Sequence, residues 1–324
     1  MQPRILARWI VLAGLLLAAF LGTVVTLNLT LYSASGFVSS YLHALARHDV
    51  EGALAFPGVG TGGGGGSEAL MAPTALSSLN DIHLVSDADD GGGEHTVTYG
   101  YTIGGTPGTS SFTIDHTGAR LGLFSGWRFA ISPRSILSIT PEHGDRFDAN
   151  GIALASNVPP GTAQQYRVLA PSLVVLSYAS TYLTAANTTA LVAVPGSDVG
   201  ATVTIQANAA FVKAVQKQLN LFLADCVTQK VLLPTGCPMG KQIGDRIQDS
   251  PTWSIVSYPI VQIVPGNEPG SWQVPETGAL AHLTVKVKSI FDGSLSTFDQ
   301  DVPFTVSYLI TFGADGSPVI TARY

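Results

Sequence analysis

Between Trp9 and Leu27 lie nineteen consecutive residues without a charge, interrupted only by the mild polarity of Thr23 and Thr26. At 1.5 Å per residue a helix of this length extends about 29 Å, the thickness of a bilayer's hydrocarbon core. Ile5, Leu6 and Ala7 already lean apolar. Arg4 and Arg8 precede the run, and the next charged residue is Arg47. The excess of basic residues on the short N-terminal side predicts a cytoplasmic N-terminus over residues 1–8, a transmembrane signal anchor over 9–29, and an extracytoplasmic remainder. The competing reading is a cleaved signal peptide, whose apolar region usually runs about 7–15 residues and ends in a small-x-small site. Here only Ser33-Ala34-Ser35 approaches such a site. Both readings export the rest of the chain. A lipid anchor is excluded, because the first cysteine is Cys226.

Export fits the two cysteines. Cys226 and Cys237 bracket a short stretch just beyond an expected helix, and a bridge between them would stabilise the fold by about 3 kcal/mol in an oxidising compartment. Zinc needs more ligands than this pair offers, and a redox pair is usually Cys-x-x-Cys. The chain is 46% hydrophobic and only 12% charged. Setting Arg4 and Arg8 aside, the 16 basic residues fall to 14 against 22 acidic ones, a net of −8. That balance argues against nucleic acid or anionic head groups as partners.

Past the anchor, Phe37, Tyr41, Leu42 and Leu45, then Val50, Leu54 and Phe56, recur at helical spacing. Pro57 ends this pair of helices, and Gly62 to Gly66 reads as a flexible linker. Alternation then sets in around Ile82–Val85, Thr96–Ile103, Ser111–Ile114 and Trp127–Ile131, with Gly-rich turns between them. This predicts a meander of antiparallel strands. Residues 35–134 are therefore expected to form a first α+β module, and 135–195 a small β domain or spacer. The segment 196–324 is expected to form a second α+β module. Its helix carries Phe211, Val215, Leu219, Phe222 and Leu223 on one face, and strands are expected over Trp253–Val264, Ala281–Phe291, Val302–Phe312 and Val319–Tyr324. The predicted class is α+β: one transmembrane helix, then two helix-on-curved-sheet, cone-like modules around a β spacer.

The pattern Tyr41-Leu-x-Ala-Leu-x-x-x-Asp-Val-x-x-Ala-Leu54 resembles the opening of nuclear-transport-factor-2-like (cystatin-like) domains, and Gly126-Trp-Arg-Phe129 resembles their closing strands. With the anchor in front, the architecture is similar to membrane-anchored envelope proteins of Gram-positive bacteria of the teicoplanin-resistance-associated kind. The resemblance implies extracytoplasmic binding modules. It departs from those relatives before the anchor, where they often carry a cysteine-rich zinc ribbon and this chain has only eight residues.

Catalytic motifs are weak. The glycine run has neither the Lys-Ser/Thr nor the preceding strand of a phosphate loop. Asp87, Asp89, Asp90 and Glu94 miss the spacing of a twelve-residue calcium loop and read as a hairpin tip. Glu142-His143-Gly144-Asp145, with Asp148 nearby, is the densest titratable cluster and reads as a polar connection. The seven histidines show no metal-binding spacing. No catalytic, cofactor or metal residue is assigned, and no cofactor is expected. Trp127 and Trp253 are expected in the core, whereas Trp272, following Pro265–Ser271, is expected to be exposed as a partner contact. The function expected is a non-enzymatic, membrane-tethered envelope protein that meets the bilayer through its first helix and an envelope protein or wall polymer beyond it. The alternative is a small apolar ligand or lipid held between helix and sheet.

Overall fold

The computed structural model describes residues 3–60, 65–120 and 122–323. Gly62 to Gly64 of the glycine run, residues 1–2, the side chains of Arg4 and Arg8, and Tyr324 lie outside what is described.

Helix α1 (Pro3–Leu29) contains the 21-residue stretch Trp9–Leu29, with a mean hydropathy of 2.5 and none of it buried in the protein. It is long and apolar enough to span a membrane. Four residues later the chain turns into α2 (Ala34–Ala46), capped by the Ser33 hydroxyl accepting from Gly36 N. Gly36 is required there, because a Cβ would collide with the Thr30 carbonyl. Helix α3 (Val50–Leu54) is capped in the same way by Asp49.

These helices lie on a four-stranded antiparallel sheet formed by β1 (Leu79–Gly91), β2 (Glu94–Ile103), β3 (Thr106–Arg120) and β4 (Phe124–Phe129), paired in chain order. The inward faces follow the pleat: Val97, Tyr99, Tyr101 and Ile103 of β2, then Phe112 and Ile114 of β3, meet Val38, Tyr41, Leu42 and Leu45 of α2. Gly65 to Ser67, at the far end of the glycine run, lie beside a later strand rather than free: Ser67 donates to Gln165 O and accepts from Arg167 N.

A β layer follows, with β5 (Arg134–Glu142), β6 (Arg146–Ala149), β7 (Ile152–Ala155), β8 (Gln164–Leu169), β9 (Ser172–Ala179), β10 (Leu183–Val192), β11 (Asp198–Thr204) and β12 (Gln206–Ala207). They form two sheets, ordered β12-β10-β9-β6-β7 and β11-β5-β8, which pack face to face. Strand β11 runs parallel to β5 from Asp198–Ile136 to Thr204–Glu142, so this layer continues past residue 195.

Helix α4 (Ala209–Cys226), capped by Asn208, opens the last part. After it come β13 (Arg246–Ile247), β14 (Thr252–Ser257), β15 (Val264–Pro265), β16 (Trp272–Lys288), β17 (Leu295–Phe312) and β18 (Pro318–Ala322). The main ladder runs β14-β16-β17-β18 in chain order, again antiparallel, with β13 and β15 pairing the two ends of β16. Strands β16 and β17 start earlier than alternation predicts and form a hairpin of 17 and 18 residues.

The chain is thus α+β, with one apolar N-terminal helix and curled antiparallel sheets. Among the described residues the buried apolar ones fall into two clusters rather than three. One belongs to α2, α3 and the first sheet, joined by Leu169 and Leu173. The other runs without a break from Leu137 and Tyr166 of the β layer, through Val203 and Ile205, to Phe211, Leu283 and Ile310.

Candidate functional site

Helix α4 turns Phe211, Val215, Leu219 and Leu223 onto the last sheet at spacings of four residues and ends on the buried Cys226. Cys226 is bonded to Cys237, their Cα atoms 5.8 Å apart. The enclosed loop is fastened at two further points. The Gln229 side chain accepts from Thr235 N and donates to Thr235 O, at 2.8 and 3.2 Å, and the Trp253 indole donates to Val231 O at 2.8 Å. Gly236 and Cys237 of this loop, with Pro238 just beyond it, form one wall of a groove. Val215, Leu219 and Phe222 of α4 and Tyr308, Ile320 and Ala322 of the sheet form the others.

The groove has two adjoining compartments that share Phe222, Tyr308 and Ala322. The apolar one measures about 190 Å³, below the roughly 300–1,000 Å³ of drug-sized sites. The second, about 530 Å³, carries Glu276 and Arg323. Chemically this suits a short aliphatic group with a polar end. In the first module rings fill the centre between helix and sheet, where Tyr41 packs on Phe56, Phe112 and Phe129 with centroids 5.1 to 6.0 Å apart, and a hollow of about 430 Å³ remains at the edge between Phe37 and Gly52 of the helices and Gly126 and Trp127 of β4. The Tyr41 hydroxyl donates to Ala170 O at 2.8 Å, and burial pushes its pKa well above the ordinary value.

The far end of the β16–β17 hairpin is a second candidate. Its turn is closed by Ser289 N donating to Ser294 O, and by the Asp292 carboxylate accepting from both the backbone and hydroxyl of Ser294. These bonds to Ser294 hold the Asp292 carboxyl below its usual pKa. On this fixed turn Phe291 is 98% exposed, Ile290 77% and Leu295 72%. Large apolar side chains grouped this way in water mark contact surfaces.

Trp272 is a correction. It is 1% exposed, not a surface contact. The loop before it folds back through Gly266 N donating to Ser271 O and Ser271 Oγ donating to Glu268 O. Trp272 then opens β16 on the inward phase shared by Val274, with its ring centroid 6.2 Å from that of Phe211 and 6.4 Å from that of His143. The signal for this was in the sequence, since Trp272 and Val274 alternate ahead of a long strand.

The structure brings Glu142 and His143 against that same loop, around a hollow of about 340 Å³. Glu142 accepts from the Thr204 hydroxyl, and His143 Nδ1 lies 3.2 Å from Ile205 O. No bond joins His143 to Glu142, Asp145 or Asp148 among the described residues. The acidic tip reads similarly: Asp89 accepts from Gly91 N, Asp90 accepts from the Thr96 hydroxyl, and Asp87 faces His95 at 2.9 Å. His95 shares the face of Val97, and Trp127 stands between the His95 and His116 rings, with centroids 5.0 and 5.1 Å away. Among the described residues no three His, Cys, Asp or Glu side chains gather as a metal site.

No protein-family model matches the chain, and no curated protein is significantly similar to it.

Proposed function

We propose that this chain is a non-enzymatic, single-pass membrane protein whose body is a protein-interaction or wall-facing binding unit. In this reading α1 spans the bilayer, the flank of Arg4 and Arg8 keeps the N-terminus in the cytoplasm, and the body lies outside with an envelope protein or wall polymer as partner. The likeness to teicoplanin-resistance-associated envelope proteins is part of the same proposal. So is the division into two cone-like modules. Its support is that α2–α3 and α4 are each followed by an antiparallel sheet, of four strands in the first case and six in the second.

The observation that carries the reading is the hairpin end, where a hydrogen-bonded turn holds Ile290, Phe291 and Leu295 out in water. The test is photo-crosslinking in membranes from the full chain, with a photoreactive phenylalanine analogue at position 291 or, as control, at the exposed Val319. A discrete adduct specific to position 291 is expected. Identical patterns from both positions, or none from either, would overturn the proposal.

A second reading, binding of a small apolar ligand, is favoured by the groove beside α4. Native mass spectrometry of the detergent-solubilised chain should then show a retained ligand that Leu219→Trp displaces. A bare mass in the presence of lipid extract would remove this reading.

A further inference from the structure

The end of α1 is clasped to the first module. The Asn28 side chain donates to Leu123 O at 2.8 Å and accepts from Ser125 N at 2.9 Å, so its amide pairs with the edge of β4 as a neighbouring strand would. Just beyond, Tyr32 stacks on Phe124 with centroids 4.4 Å apart, and its carbonyl accepts from the Trp127 indole at 2.9 Å. Asn28 lies one residue from the end of the apolar stretch Trp9–Leu29. That stretch is about 31 Å long at 1.5 Å per residue, so with Trp9 at one face of a bilayer core Leu29 stands at the other. Leu123, hydrogen-bonded to Asn28, is then fixed at the same depth.

Strand β4 runs away from this point, from Phe124 beside Tyr32 to Phe129 beside Phe37. Leu123, at the start of β4, therefore lies at the end of the strand nearest the apolar stretch of α1. The side chains at this level suit an interface: Leu29 and Leu31 are exposed, Leu123 is 44% exposed, and Tyr32, Phe124 and Trp127 are half-buried aromatics. Trp and Tyr concentrate at the head-group level of membranes.

We infer that the start of β4 is a second membrane contact, with Leu123 immersed in the lipid interface beside α1, so that the first module is docked on the bilayer rather than suspended from it. The occupant of this surface is the phospholipid of the leaflet where α1 emerges, on the ground that the surface is continuous with the span. The inference rests on the proposal that α1 crosses a membrane, and its test separates the two. The full chain, with its disulfide intact, is labelled with an environment-sensitive fluorophore through Leu123→Cys, Leu16→Cys or Phe291→Cys. Each is reconstituted into phosphatidylcholine–phosphatidylglycerol bilayers that carry spin-labelled lipid.

Strong quenching is expected at positions 16 and 123 and little at 291. Quenching at 16 with none at 123 overturns the docking alone, whereas no quenching at 16 overturns the span and the docking together. Hydroxyl-radical footprinting of the unsubstituted chain gives the same answer without a variant. Leu123 and Phe124 should be protected in bilayers and Phe291 oxidised, and oxidation of Leu123 at a rate like that of Phe291 would overturn the docking.

Discussion

His282 and Asp301 stand directly opposite each other on the β16–β17 ladder, with the imidazole Nδ1 2.7 Å from the Asp301 carboxylate. The other ring nitrogen lies 2.8 Å from Asp299, which also accepts from the Thr284 hydroxyl. Asp301, then Asp299, hold the imidazolium and raise the His282 pKa. A raised folded-state value means the contribution to stability is complete below the ordinary histidine pKa, about 6.5, and fades as pH rises through the folded value. An NMR titration should place the His282 midpoint above that of an ordinary histidine, and Asp301→Asn should bring it down. An equal midpoint in both proteins would show that the bracket does not act.

Tyr41 predicts a loss of stability in alkali. Its hydroxyl is buried and stays neutral in the folded chain, whereas the unfolded phenol ionises near its ordinary value of about 10. Above that pH the unfolded state binds fewer protons, so stability falls as pH rises. Tyr41→Phe should blunt this fall and cost about 1 kcal/mol at neutral pH through the lost bond to Ala170 O. Denaturant curves at neutral and alkaline pH check both.

Reduction of Cys226–Cys237 should lower stability by about 3 kcal/mol on the loop-entropy estimate. The loss should fall on the β layer and α4 unit, because the first module has its own core. Trp253, bonded to the bridged loop, is the reporter. Its unfolding midpoint should shift with reductant while amide exchange in β2 does not.

Asn28→Leu removes both bonds between α1 and β4. At about 1 kcal/mol per bond, the Ser125 amide should exchange roughly tenfold faster or more. Exchange at the wild-type rate would mean that Asn28 does not hold the strand.

Periodicity made the helices legible: Tyr41 and Leu45, or Val215, Leu219 and Leu223, bury the face their spacing predicts. Strands with a clean apolar alternation, such as Thr96–Ile103, were equally readable. Legibility failed where one face of a strand is polar or the pairing is distant. Leu295 to Asp301 shows mostly exposed side chains, and its strand character comes from the ladder with β16. The parallel contact of β11 with β5 joins residues some sixty positions apart and leaves no local trace. Of the candidate sites, the groove has a wall built by the loop that the two cysteines close, but the pair itself read only as a structural bridge. The Asn28 clasp depends on a single amide inside an otherwise apolar helix, and nothing in its own neighbourhood announced a partner at Leu123.

The unbroken core from Val203 and Ile205 into Phe211 bears on how such a chain can be inherited. A recombination point at residue 195 would part β11 from β5 and β12 from β10, and strip both halves of interior. A point at Ala130–Pro133 keeps those strands together, at the cost of the contacts that Ser67, Leu70, Ala75 and Ser110 make with the β layer and that Leu169, Leu173 and Ala170 make with the first module. By that measure residues 134–323 are inherited together, and an exchanged first module must still bring equivalents of Leu70 and Ala75 to their core.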